Sequence, residues 1–440
     1  MQKAEEFYKK LVDDNFAKSL QSAKKQQEYI KTSTARYHGY FVHTLYMPKM
    51  FTEEMAAYFK KAAESMYKIL EKVIHEYQTN AEYRKLFGFD EKLEKLILRP
   101  NHYECALPIA RIDIFFNEDD FSFKFCEFNA DGSSAMNEDN QAIRLTSTFD
   151  KFTEKYNVRT YELFNSWVKA FTDIYRTYDR AVENPHIAIV DFFGGDISRE
   201  FTAFQKAFED SGLTCEICEI TDLSYENGKL LSPSGKQINA IYRRAVTCDI
   251  MRNYDKVQPF IKAAENNDVC LIGDFKTQVI HNKIVFKVLH DDMTSAFLTD
   301  EEKQYVKDHI PYTASLTQEE IDKHDVLNTK DKWVIKPEDS YASKGVYAGV
   351  EGMSDHAWKE EVLSNVDNHY LLQEYCTPYA TWNIDITHDE NAKYKKYSNI
   401  TGMYVYNGKL AGLYSRIAKN SIISTQYSEM SLPTIVVSEK

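Results

Sequence analysis

Apolar residues recur every three or four positions through the first hundred residues, most clearly in MAAYFKKAAESMYKILEKVIHEY at 55–77. That spacing gives each segment one apolar stripe and predicts a helical region over residues 1–100, packed against the side of a main body. The pattern then shortens. IARIDIFF (109–116) and FSFKFCEFN (121–129) are strand-like runs joined by the turn-forming NEDD, and they predict a β-hairpin. Helical spacing returns at about 150–180. A short apolar strand, HIAIVDFFGGD (186–196), ends in a Gly-Gly turn and is followed by the helical ISREFTAFQKAFEDSG and the strand-like TCEICEI and INAIYRRA. This order predicts a small Rossmann-like parallel sheet. The turn lacks the full G-x-G-x-x-G spacing, so dinucleotide binding there has little support.

Beyond residue 273 the pattern changes again. TQVIHNKIVFKVLHDD (277–292) reads as a helix carrying lysines. KWVIKPEDSYASKGVYAGV (332–350) reads as strand, loop, strand, HYLLQEYC (369–376) as a strand, and ITGMYVYNGKLAGLYSRIAKN (400–420) as a hairpin around Asn-Gly. At 440 residues the chain exceeds one ordinary core, and its 43% hydrophobic residues suit a folded protein of several parts. A formal net charge of -13 argues against a nucleic-acid partner, which would need clustered Lys and Arg. No apolar run approaches the roughly 20 residues that cross a bilayer, so no membrane partner is expected. The opening MQKAEEFYKK is charged and has no apolar signal core, and the 7 cysteines are scattered, so a cytoplasmic setting is expected. Cys215 and Cys218 have C-x-x-C spacing, but strand alternation sends them to opposite faces, which speaks against a shared metal.

The candidate chemistry lies at strand ends. Arg111 and Asp113 share one face of the first hairpin strand, and Glu127 and Asn129 share one face of the second. Asp, Glu and Asn offer oxygen ligands of the kind Mg²⁺ prefers, and a solvated strand end fits the same residues. Ser133 and Ser134, on the Gly/Ser turn beyond Asn129, are candidate substrate-binding residues. Lys336 leaves the apolar strand WVIKP beside the small, polar SYASKG, where loop N–H groups and an ammonium would both face an anion; a surface hairpin loop fits as well. Lys283 reads either as a second phosphate contact or as an ordinary helix-surface lysine. Gln373 and Glu374 interrupt an apolar strand that would suit an adenine edge, and Arg416 would suit a carboxylate or a phosphoryl group.

Taken in order, Arg-x-Asp, Glu-x-Asn, a Rossmann-like unit, Asn-Lys, Val-Ile-Lys-Pro with a small-residue loop, Gln-Glu and a late Arg, the chain resembles the glutathionylspermidine synthase family over residues 100–430. The resemblance implies an α+β / α/β, circularly permuted ATP-grasp fold. It would comprise an N-terminal helical region (1–100), the first part of the catalytic module with its metal-binding hairpin (101–184), a Rossmann-like pre-ATP-grasp domain (185–272), and the lid with the remaining catalytic strands (273–440). It implies an ADP-forming ligase that joins a small carboxylate, such as an amino acid or peptide, to an amine through an acyl phosphate. The cofactors would be ATP and Mg²⁺, and the protein a monomer or homodimer. Asp113, Glu127 and Asn129 would hold the metal. Lys283, Lys336, Ser343, Lys344, Gly345, Gln373 and Glu374 would bind ATP, with SYASKGV as a mobile loop over the phosphates. Arg111 and Arg416 would be catalytic. A small-molecule kinase, or a silent binding module on the same fold, is the alternative. The family often has acidic residues just after the late arginine. Here Ile417, Ala418 and Lys419 follow Arg416, so a polyamine is not the expected amine.

Overall fold

A computed structural model of the chain describes every residue except 1, 35, 38, 39, 42, 101, 133–143, 145, 341–343, 351, 421 and 424–428; the side chains of residues 2, 36, 37 and 40 also lie outside it. Thr52 caps the long helix Glu53–Thr79 by accepting from the Met55 amide, and Glu53 and Glu54 in the first turn complement the helix dipole. Met55, Phe59, Ala62, Ala63, Met66, Leu70, Val73, Ile74 and Tyr77 make its buried stripe. This stripe packs on Ile112, Ile114, Phe125, Met403, Val405 and Leu413, which are one face of a central antiparallel sheet.

In that sheet the strand order is Met430–Leu432, Lys409–Ala418, Lys395–Tyr406, Ile109–Phe116 and Phe123–Asn129, with Ala380–Asn383 also paired to Lys395–Tyr406. Strands almost three hundred residues apart are therefore neighbours, and Gly402 lies opposite Asp113 and Tyr404 opposite Arg111. The expected hairpins at 109–129 and around Asn407-Gly408 both form. Asn407 and Gly408 take the positive φ that a two-residue hairpin turn requires.

The segment read as Rossmann-like is a four-stranded parallel sheet in the order Cys270–Ile272, Ala240–Arg243, His186–Asp191 and Thr214–Glu219. Helix Arg199–Asp210 links two of its strands. Cys215 and Cys218 enter different apolar clusters on its two faces. A second antiparallel sheet orders Thr313–Ser315, Tyr370–Glu374, Trp333–Pro337 and Tyr347–Ala348. It rests on its own core of Leu316, Ile321, Trp333, Ile335, Trp358, Val362 and Leu372.

Three readings of the local pattern are corrected. Lys49–Thr52 within the helical N-terminal region is a strand, parallel to Thr434–Glu439. The helical stretch at 150–180 is two helices, Ser147–Lys155 and Phe164–Tyr175, separated by strand Tyr156–Arg159, which pairs with the other edge of Thr434–Glu439. The helix expected at 277–292 breaks at Asn282, whose ψ of 128 leaves the helical region, so Gln278–His281 and Val285–Val288 are separate short helices. In all three places a long-range partner (a strand edge, or the loop at Glu338) takes the backbone groups that a continuous helix would have used. Among the described residues no helix is long and apolar enough to cross a membrane.

Candidate functional site

Strict alternation would put Glu127 and Asn129 on the same side of their strand as Phe123 and Phe125. A register shift prevents this: Asp113 pairs with Glu127 and the next residue, Ile114, pairs with Phe125, which leaves Cys126 as an extra residue. Phe123, Phe125 and Phe128 consequently all reach the core, while Glu127 and Asn129 turn to the opposite face. The bulge also turns the Cys126 carbonyl toward Lys336, whose Nζ donates to it at 3.5 Å.

On this face the candidate groups converge. Arg111 grips Asp113 in two-pronged fashion, Nε to Oδ1 at 2.8 Å and Nη2 to Oδ2 at 3.0 Å. Arg416 reaches the same Oδ2 with Nη2 at 2.7 Å and gives its Nη1 to Glu429 at 3.2 Å. The Asn129 amide nitrogen bridges the two carboxylates, 3.2 Å from Asp113 and 3.4 Å from Glu127. Lys283 Nζ lies 3.1 Å from Glu127 Oε1 and donates to the Ser340 carbonyl at 2.5 Å. Asp113 is fully buried and Lys283 and Lys336 nearly so, whereas the Glu127 side chain keeps 27% of its surface exposed. Four cationic side chains thus meet three carboxylates, and the surplus positive charge suits an anion.

Electrostatics follow from that crowding. Burial opposes ionisation of Glu127, but the charges of Lys283, Arg111 and Lys336 outweigh it and hold the carboxyl down to about 2. Burial pushes the Lys336 ammonium below its ordinary value and the Lys283 charge adds to this, against an opposing pull from Cys126. Burial acts against the Arg416 charge too, yet Glu429 and Asp113 more than restore it.

Not every candidate joins the cluster in the same way. Lys283, read as a helix-surface lysine or a phosphate contact, is buried at the break between two short helices, so the surface reading is corrected. Its backbone N–H donates to Glu338 O at 2.8 Å, and Gln278 Nε2 reaches Asp339 at 2.8 Å, so the loop after Lys336 is tied to this break. Lys344 is exposed. Gly345 has a φ of +73, and a Cβ there would meet the Tyr370 hydroxyl at 2.7 Å. Gln373 is buried on the Lys336 face of the small sheet and donates to Thr313 Oγ1 at 2.8 Å, while Glu374 is exposed at the strand end. Ser133, Ser134 and Ser343 lie outside the described residues.

Two contributors carry no sequence signal of their own. Glu429 stands thirteen residues beyond Arg416, and reaches it because Arg416 pairs with Ser431 across adjacent strands. It supplies the acidic neighbour that Ile417, Ala418 and Lys419 do not. Gly402 faces the Arg111–Asp113 pair, where an added Cβ would sit 2.9 Å from Asp113 Oδ1 and 3.0 Å from Arg111 Cδ. Gly402→Ala should therefore displace the pair and cost about 1–3 kcal/mol, read as a lower denaturant midpoint; an unchanged midpoint would refute the tight fit. Asp131, polar at the end of the same strand, is buried and bound to Arg243 and Thr247, so it braces the parallel sheet and does not line the cluster.

No protein-family model matches the chain, and no curated protein sequence does. Among solved structures the chain is similar to a glutathione synthetase-like effector from Globodera pallida in its apo form. That match has 10% identity, covers 94% of this chain and 96% of that one, and has a TM-score of 0.64. It shows a common fold across nearly the full length of both. A putative gamma-glutamylcysteine synthetase from Methylobacillus flagellatus (10% identity, 85% and 86% covered, TM-score 0.43) aligns too loosely to add to this. So does D-alanyl-alanine synthetase A from Vibrio cholerae (12% identity, 55% and 69% covered, TM-score 0.31). The fold shared with that structure is here a mixed α/β architecture with several sheets.

Proposed function

We propose that the protein is an ATP-dependent carboxylate–amine ligase that forms an amide through an acyl phosphate. We also propose the circularly permuted, glutathionylspermidine synthase-like arrangement and the domain division given above. The observation that carries the reading is the convergence of four cationic side chains from separate stretches of chain: Arg111, Arg416 and Lys283 pair with Asp113 and Glu127, and Lys336 joins them on the adjoining Cys126 carbonyl. Such a cluster binds and neutralises a polyanion, and phosphoryl transfer is catalysed chiefly by positioning and by charge stabilisation.

The donor set also fits a hard cation. Glu127 is ionised, part-exposed and oxygen-bearing; Asn129 would join it by a half-turn of its amide, with Asp113 behind them holding the two arginines. Mg²⁺ held there would offset charge on the phosphoryl group being transferred. Lys283 and Lys336 would neutralise phosphate oxygens, and Lys336 is low in proton affinity because burial, not an acid partner, dominates its surroundings. Arg111 and Arg416 would orient the substrate carboxylate and stabilise the acyl phosphate, their own geometry fixed by Asp113 and Glu429. Gln373 and Glu374 would border the adenine. Lys344, exposed and held at its carbonyl by the Ser340 hydroxyl at 3.0 Å, would add charge near the phosphates. Lys344→Ala should then lower kcat roughly tenfold, about 1.4 kcal/mol of transition-state binding, while raising KM for ATP less. Equal changes in both constants would count against a transition-state role.

The deciding measurement is ADP release with Mg²⁺ and pools of amino acids, peptides and amines. Dependence on a carboxylate together with an amine supports the ligase. ADP release with a single acceptor makes the protein a phosphotransferase, and nucleotide binding without turnover makes it a binding module.

A further inference from the structure

Away from this cluster, His43, Asp385 and His388 bring one ligand atom each to a single point, all within 4.8 Å of one another. His43 Nε2 lies 2.9 Å and His388 Nδ1 3.2 Å from the same oxygen, Asp385 Oδ1, and the two imidazole rings lie against each other with centroids 3.5 Å apart. We propose that these three residues form a binding site for a borderline divalent transition metal, of which Zn²⁺ is the physiological representative, and that the ion acts as a structural clamp. It is separate from the oxygen-only donor set proposed for Mg²⁺.

The donor chemistry selects the ion. Two imidazole nitrogens and one carboxylate oxygen suit Zn²⁺, whereas Mg²⁺ and Ca²⁺ favour oxygen alone. Four ligands at Zn²⁺ bond lengths of about 2.0–2.1 Å lie about 3.3 Å from one another in a tetrahedron. The observed 2.9 and 3.2 Å separations from Asp385 Oδ1 are close to that, and all three ligand atoms lie within 4.8 Å of one another. His388 is exposed, and among the described residues no fourth His, Cys, Asp or Glu joins the three.

The framework around the three ligands is cross-linked. A tight turn closes from Asp389 N to Asp385 O at 3.1 Å, which fixes His388 beside Asp385. Thr387 Oγ1 donates to the Thr44 carbonyl at 3.1 Å, and Asn383 Nδ2 to that of Met47 at 2.9 Å, so the 383–388 segment is fastened to 43–47. His43 O accepts from Ser431 N at 2.8 Å. Ser431 is the strand partner of Arg416 and lies two residues past Glu429, the acid that holds Arg416. Metal at His43 would therefore stiffen the strand end that supports this arginine.

Calorimetry of the EDTA-treated full chain with Zn²⁺ tests the site. A single equivalent should bind, and His43→Gln, His388→Gln and Asp385→Asn should each weaken it by about tenfold or more. Co²⁺ in place of Zn²⁺ should give the visible bands of a low-coordinate nitrogen–oxygen site, lost in His388→Gln, whose exposed position spares the fold. Glu127→Gln should keep the Zn²⁺ stoichiometry, which separates this result from the fate of the ligase reading. Absence of a stoichiometric event, or binding unchanged by the histidine substitutions and diminished only in cysteine variants, would overturn the proposal.

Discussion

Asp113→Ala is expected to destabilise the protein by about 3–5 kcal/mol, as for other buried ion pairs from which one member is removed. Asp113 is fully buried and accepts three guanidinium hydrogen bonds, two from Arg111 and one from Arg416, while the two arginines themselves are largely excluded from water. Taking the carboxylate away removes the two-pronged partner of Arg111, whose charge is then met by Glu127 at longer range, and leaves Arg416 with Glu429. Two like charges then face one another across a face from which water is mostly excluded. Asp113→Asn keeps the volume and should cost less, because its amide oxygen can still accept from one arginine. Equilibrium denaturation of both variants checks this, and a wild-type midpoint for Asp113→Ala would show that the arginines do not depend on it.

Glu127→Gln is expected to reduce ATP-dependent turnover by about 10²–10³-fold, the usual effect of removing one preorganised electrostatic group, while the chain still folds. Its side chain is part-exposed and its neighbours on the core side, Phe125 and Phe128, are untouched by an isosteric change. What is lost is the negative charge that holds Lys283 at 3.1 Å and that would hold a cation. The pH dependence has a definite sign. The folded-state carboxyl is depressed to about 2 from its ordinary value of 4.5, so its ionised form stabilises the fold above pH 4.5. That contribution falls away as pH drops through about 2. The stability difference between wild type and Glu127→Gln should therefore be full at neutral pH and fade on acidification across that window. A turnover equal to wild type would remove Glu127 from the mechanism, whatever the stability data show.

Much of the local structure was legible in the residues. The 109–129 hairpin, the Asn407-Gly408 turn, the parallel strands at 186–272 and the opposed thiols of Cys215 and Cys218 follow from the period of the apolar positions and from turn chemistry. These depend on interactions between near neighbours, which sequence spacing encodes directly. Of the candidate site, Arg111, Asp113, Glu127, Asn129, Lys336 and Arg416 stood out because a charged or amide group in an apolar strand is conspicuous.

Other features depended on partners far away in the chain. Alternation alone would have buried Glu127 with Phe125; the extra residue at Cys126 reverses that, and a bulge is set by pairing with the Asp113 strand. Lys283 lay in a sequence with continuous helical spacing, and the break at Asn282 exists because Glu338 O takes the Lys283 amide. Glu429 and Gly402 carry no local mark of function. They matter because Lys395–Tyr406 pairs with Ile109–Phe116, placing a residue without a side chain against Asp113, and because Met430–Leu432 pairs with Lys409–Ala418, placing an acid against Arg416. The sequence by itself determined most of the strands and where they carry polar groups, since both are local, whereas Lys49–Thr52 and Tyr156–Arg159 became strands only through their partner Thr434–Glu439. Which charges meet was decided by the tertiary structure, because a strand's neighbours are chosen by the burial of a whole sheet face and not by any one segment.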